Sequence, residues 1–175
     1  MTKSKRKDKG AVSMRDTQQD TYVTFKSGNE YFGLEIRYVN EIIVYQEITQ
    51  IPESEDYIKG LINLRGKIIP VIDVRVRFRQ EPIPYTDRTC IIVINVQGTV
   101  VGLIVEKVAE VVEIKKENIL STPTVGNEEK CQNKYVYGVG KVGESVKLLL
   151  DPELLLKDDD LAMLELAEEE TEEGE

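Results

Sequence analysis

The chain has 175 residues and not one histidine, which excludes Ser-His-Asp and Cys-His catalysis, histidine-ligated zinc and a phospho-accepting histidine. Two cysteines, Cys90 and Cys131, fall short of the four ligands of a structural zinc site. The formal charge of −9 is uneven: residues 1–19 sum to +4, residues 20–150 to −2 and residues 151–175 to −11, so the near-neutral body argues against nucleic acid as the main partner.

In chain order, residues 1–19 read as a basic, disordered tail. No apolar stretch follows their lysines, so they are not expected to act as an export signal, and the cysteines are expected as reduced thiols in the cytoplasm. The longest apolar run, residues 100–105, is far short of the roughly 20 residues of a membrane span. From Tyr22 on the pattern is β. Of 20 valines and 17 isoleucines, all but Val12 lie between Val23 and Val146, and β-branched side chains favour strands. Strands are predicted at 21–26, 30–36, 41–51, 58–64 and 67–73, then at 89–96, 100–106, 110–114, 135–139 and 145–150. Ser27-Gly28-Asn29 and Gln97-Gly98-Thr99 supply hairpin turns. After Val146 there is no Val or Ile, but nine of the fourteen leucines occur there. That shift predicts a short C-terminal helix around residues 161–167, fraying into an acidic tail.

The body repeats itself. Gly33, Leu34, Val39 and Glu41 recur 69 residues later as Gly102, Leu103, Val108 and Glu110. Further on, Gly60 matches Gly138 and the run 68–73 matches 146–151, now at an offset of 78. The extra nine residues fall in the turn-rich loop around 121–130. Two copies of about five short strands, joined near residues 80–87, point to an all-β protein of two barrels.

Four features of the sequence carry candidate chemistry. Gly138-Val139-Gly140-Lys141-Val142-Gly143 matches a dinucleotide fingerprint letter for letter, but that fingerprint must open a helix. Here a strand pattern follows, so a glycine-rich hairpin is expected. Asp73 and Asp151 end equivalent strands, and the repetition favours turn or helix caps over acid-base chemistry. Cys90 opens an apolar run and is expected as a buried, inert thiol, whereas Cys131 sits in a polar loop beside Lys130. Arg65-Gly66 falls between two apolar strands, so Arg65 should project from a turn, where binding residues concentrate.

Residues 57–75 read Y-I-K-G-L-I-N-L-R-G-K-I-I-P-V-I-D-V-R. This run resembles the CheW family of chemotaxis coupling proteins, and the similarity extends over roughly residues 20–155, as subdomains of about 20–80 and 88–155. The resemblance implies two five-stranded SH3-like barrels sharing a core, with a short C-terminal helix. It implies a non-enzymatic adaptor between the cytoplasmic tips of chemoreceptors and the regulatory domain of the histidine kinase CheA. Such a protein would be cytoplasmic and recruited to receptor arrays, without cofactor, metal, nucleic acid or direct membrane insertion. Receptor-binding positions would fall on Val39, Glu41, Gly60, Asn63 and Arg65. An inter-barrel groove would be lined by Ile36, Val39 and Val101. Kinase-docking positions would fall on Leu120 and Val125, where the family more often carries an arginine and an aromatic residue. The alternative reading is a small-molecule sensor or enzyme using the cleft between the barrels. No clustered His, Cys or carboxylate set at catalytic spacing supports it.

Overall fold

The computed structural model describes residues 19–121 and 135–156. The first copy contains β1 (Thr21–Ser27), β2 (Glu30–Glu35), a single 3-10 turn (Ile36–Tyr38), β3 (Val39–Val44), β4 (Ile58–Leu64), β5 (Lys67–Asp73) and the helical turn α1 (Val74–Arg77). The second contains β6 (Cys90–Val96), β7 (Thr99–Val105), β8 (Lys107–Glu113), a 3-10 turn (Lys116–Asn118), β9 (Ile119–Ser121), β10 (Val136–Val142), β11 (Ser145–Leu150) and the helical turn α2 (Pro152–Leu155). The described residues are all-β, with helix only in short turns.

The expected strand at 41–51 divides. β3 ends at Val44, and the chain returns for one antiparallel bridge between Thr49 and Leu61. β9 is its counterpart in the second copy, pairing Leu120 with Val139. Three residues beside a long loop carry no legible strand pattern. Residues 138–143 do form a hairpin, with Gly143 at the β10–β11 turn. The helix expected at 161–167 lies outside the described residues.

The strands form two sheets, ordered β8-β1-β2-β11-β10-β9 and β3-β6-β7-β5-β4. Each sheet therefore takes a hairpin from the other copy: β1–β2 joins the strands of the second, β6–β7 those of the first. Connection length excludes one alternative. At the place β8 occupies beyond β1, in the sheet of β2, β3 would run parallel to β2. A parallel return needs a crossover of about a dozen residues or more. Only three residues link β2 to β3, and only Glu106 links β7 to β8. The chain runs on into the other sheet instead. The exchange also creates the parallel pairs, β11 beside β2 and β5 beside β7.

Three apolar clusters follow. Tyr22, Ile114 and Leu149 fill the six-stranded barrel, and Ile62, Ile69, Val71, Ile91, Val93 and Ile104 fill the five-stranded one. The largest cluster lies between the sheets and includes Phe25, Phe32, Leu34, Phe78, Ile92, Leu103 and Leu155. Phe32 links Phe25 and Phe78, with ring centroids 5.7 and 4.9 Å away. Burial of apolar area is the main favourable term in folding, so this shared core joins the barrels into one unit.

The repeated aspartates cap helices, as their spacing implies. Asp73 Oδ1 accepts from the Arg75 and Val76 amides at 2.9 and 3.4 Å, and Asp151 Oδ1 from the Glu153 amide at 2.9 Å. Cys90 departs from expectation. It is only partly buried, because it opens β6 rather than lying inside it, and its thiol donates to the Arg88 carbonyl. Cys131 is outside the described residues.

Candidate functional site

Between β4 and β5 the chain reverses at Arg65 and Gly66, both with positive φ, 52° and 85°. Positive φ at both turn residues is the type I′ signature that matches strand twist. Glycine adopts it freely, but for arginine it is strained, on the order of 1 kcal/mol or more. Asn63 supports the turn: its Oδ1 accepts from the Gly66 amide at 2.9 Å. The Gln97–Gly98 turn of the second copy has the same geometry, with Asn95 Oδ1 accepting from the Gly98 amide at 3.0 Å.

Arg65 does not point freely into solvent. Its Nη2 lies 2.6 and 2.7 Å from the two carboxylate oxygens of Glu41 on β3. Glu41 raises the Arg65 pKa above its ordinary value, chiefly through this hydrogen bond. The side chains are 73% and 27% exposed. An ion pair so wet contributes little to folding stability, but it presents a fixed donor array at a hairpin tip. Arginine in that setting suits a planar, acidic partner group.

Gly60 shapes the floor of this surface. Its φ is 143°, and a Cβ there would lie 2.0 Å from the Thr49 carbonyl oxygen. Only glycine lets the 45–51 segment close on β4, where Thr49 and Leu61 exchange amide hydrogen bonds at 2.9 and 2.8 Å. The same segment brings Gln46, whose Nε2 donates to the Asn63 carbonyl at 3.3 Å.

Of the five receptor-type positions, the structure brings Glu41 and Arg65 into direct contact, with Asn63 and Gly60 holding the turn and the strand beneath. Val39 starts β3, two residues from Glu41, and packs half-buried against the shared core. A register shift separates it from Glu41 in the pairing with β6. Two neighbours escape sequence reading. Ile42 and Val44 are exposed on β3, Val44 at 71%. The run Glu41-Ile42-Ile43-Val44 resembles a strand buried on both faces, and only its place at the sheet edge reveals the outward pair.

The groove positions separate. Ile36 and Val39 are half-buried against the shared core, but Val101 is fully buried within it. Val101 lines no surface groove, because its side chain packs into the core between the sheets. Leu120 is exposed on β9, in line with Val139, and Val146 on β11 is exposed as well. Together they give the six-stranded barrel an apolar outer strip. Val125 lies outside the described residues.

A small pocket beside Tyr85 is lined by Asp73, Arg75, Thr89 and Glu106 among others. Its polar groups already satisfy one another: the Tyr85 hydroxyl donates to Asp73 Oδ2 at 2.8 Å, and Arg75 pairs with Glu106 at 3.1 Å. Among the described residues no three His, Cys, Asp or Glu side chains lie close enough to hold a metal ion. No helix among them is long and apolar enough to cross a membrane.

The described residues thus form two fused β-barrels with an exposed ion pair at a hairpin tip and outward-facing apolar side chains. The comparisons agree. A family model described as CheW-like domain matches residues 21–160. The chemotaxis protein CheW of Klebsiella aerogenes is 36% identical over 150 residues, covering 86% of this chain and 89% of that protein. The chemotaxis protein CheW of Treponema pallidum is 31% identical over 84% of this chain and 88% of its own length. The crystal structure of the scaffolding protein TtCheW from Thermoanaerobacter tengcongensis superposes with a TM-score of 0.73 at 33% identity, covering 81% of this chain and 94% of that one. The chain belongs to the CheW-like family of chemotaxis scaffold proteins.

Proposed function

We propose that the protein is a non-enzymatic adaptor that couples the cytoplasmic tips of chemoreceptors to the histidine kinase CheA, and that receptors recruit it to membrane arrays. The observation that carries this reading is the Glu41–Arg65 pair at a hairpin tip, an exposed ion pair that adds little to folding stability. On this reading the receptor meets Arg65, Glu41 and Asn63, over a surface shaped by Gly60 and flanked by Val39. Arginine is enriched among interface residues whose loss costs binding most. The regulatory domain of the kinase meets the other barrel, at the apolar strip around Leu120. The residue there is leucine, so this contact is apolar rather than charged, and Val125 belongs to the same side of the proposal. Parting the two surfaces onto two barrels lets both partners bind at once.

The test is reconstitution. Receptor-containing vesicles and kinase are assayed for autophosphorylation with and without this protein. Strong receptor-dependent stimulation only in its presence supports the reading. No change in kinase output, with both partners known to be active, overturns it.

A further inference from the structure

The two connections that carry the chain between sheets hold charges at equivalent places, with opposite sign. Arg37 lies in the first connection and Glu106 forms the second, 69 residues later. The helical turns show the same reversal: Arg75 stands two residues after the cap Asp73, and Glu153 two residues after Asp151. Because β7 runs beside β5 and β2 beside β11, each connection meets the helical turn that follows its parallel neighbour. Arg75 Nη1 lies 3.1 Å from Glu106 Oε2, and Arg37 is within electrostatic reach of Glu153. A hairpin tip completes each arrangement. The Gly28 amide donates to Glu106 Oε2 at 2.5 Å, and Gln97 Nε2 donates to Glu153 Oε1 at 3.4 Å. Gly28 and Gln97 are again 69 residues apart.

The two copies differ in strength. Arg75 and Glu106 are 18% and 21% exposed, so water screens their attraction little. Arg75 Nε also donates to the Glu81 carbonyl, and the Ser27 hydroxyl donates to Gln80 Oε1 at 2.9 Å, so the same hairpin tip is tied twice. On the other side Arg37 is 63% exposed and bonds first to Glu35. The apolar core between the sheets is attractive but non-directional. Charge-assisted hydrogen bonds have direction.

We propose that Glu106 is the pin of the junction between the barrels: by holding Arg75 and the Gly28 amide at once it fixes the angle between the two sheets, while Glu153 with Gln97 is a weaker copy at the second connection. Motion between the barrels then opens on the Glu153 side.

The experiment uses the full chain with both native cysteines replaced by serine and spin labels at positions 67 and 141, exposed on opposite barrels. Glu106→Ala should widen the distribution of label distances about twofold, as a released hinge would. It should also speed exchange of the Gly28 amide by about tenfold or more, as local opening does. Glu153→Ala should widen the distribution much less. Val71→Ala, which thins the core inside one barrel, should lower the melting temperature without widening it. If Glu106→Ala fails to fold, Glu106→Gln and Arg75→Ala give the same readings. An unchanged width with a freed Gly28 amide would make Glu106 a local tie only. Equal widening in Val71→Ala would make the effect general loosening. Either result overturns the proposal.

Discussion

A Cβ on Gly60 would stand 2.0 Å from the carbonyl oxygen of Thr49, the residue whose amide and carbonyl close the five-stranded barrel onto Leu61. The obstacle is backbone, not a side chain that can turn away. Gly60→Ala should therefore cost about 3 kcal/mol, combining a strained φ with loss of the Thr49–Leu61 bridge. Urea denaturation measures the loss. A change below about 0.5 kcal/mol, the range of an ordinary surface substitution, would show that the 45–51 segment does not close the barrel.

Arg65 should separate stability from binding. Arg65→Gly relieves the left-handed strain of a turn residue but adds chain entropy to the unfolded state, so stability should be unchanged or up to about 1 kcal/mol greater. Receptor binding should fall at least about fivefold. Arg65→Glu should weaken binding further, because it sets two carboxylates against each other at Glu41 and reverses the charge shown to the partner. Added salt should narrow the difference between the two variants. Calorimetry for folding and titration against receptor fragments report the two quantities separately.

The capping aspartates should not be equivalent. Asp73 is buried and accepts from two amides and the Tyr85 hydroxyl, whereas Asp151 is half-buried and accepts from the Glu153 amide. Asp151→Ala should cost about 1 kcal/mol, as an ordinary cap does. Asp73→Ala should cost roughly 2–4 kcal/mol, because it also removes the acceptor of the half-buried Tyr85 hydroxyl. Equal losses in thermal melts would contradict the difference in their surroundings.

Tyr137 and Tyr85 are both held above their ordinary pKa, first by burial and then by hydrogen bonds, to Tyr22 and to Asp73. Their folded pKa exceeds the unfolded one, so their contribution is complete below about pH 10 and is lost as pH rises past it. Stability should fall above pH 10 by up to about 1.4 kcal/mol per pH unit for each such tyrosine. Tyr137→Phe should make that fall shallower. Denaturant melts between pH 8 and 11 check the slope, and a flat profile would mean these hydroxyls ionise freely in the fold.

Local chemistry was legible in the sequence; pairing across the fold was not. The hairpin turns at Gly28 and Gly98, the caps at Asp73 and Asp151 and the turn at Arg65 rest on one or two neighbouring residues, and each appears where the pattern puts it. The exchange of hairpins depends on which strands meet; the short connections at 36–38 and at Glu106 exclude only a parallel return into the same sheet. The Glu41–Arg65 contact joins residues 24 positions apart and exists only once the barrel closes. The complete burial of Val101 likewise follows only from how the two sheets pack.

Receptor control and kinase docking are best set against each other in one preparation. Kinase autophosphorylation is followed with receptor vesicles and either the wild-type protein or Arg65→Glu, while binding of each protein to the isolated kinase regulatory domain is titrated in parallel. Arg65→Glu should lose receptor-dependent stimulation yet bind the kinase domain within about twofold of wild type, since an exposed charge far from a contact changes its energy little. Full receptor-dependent stimulation by the folded Arg65→Glu protein would contradict it.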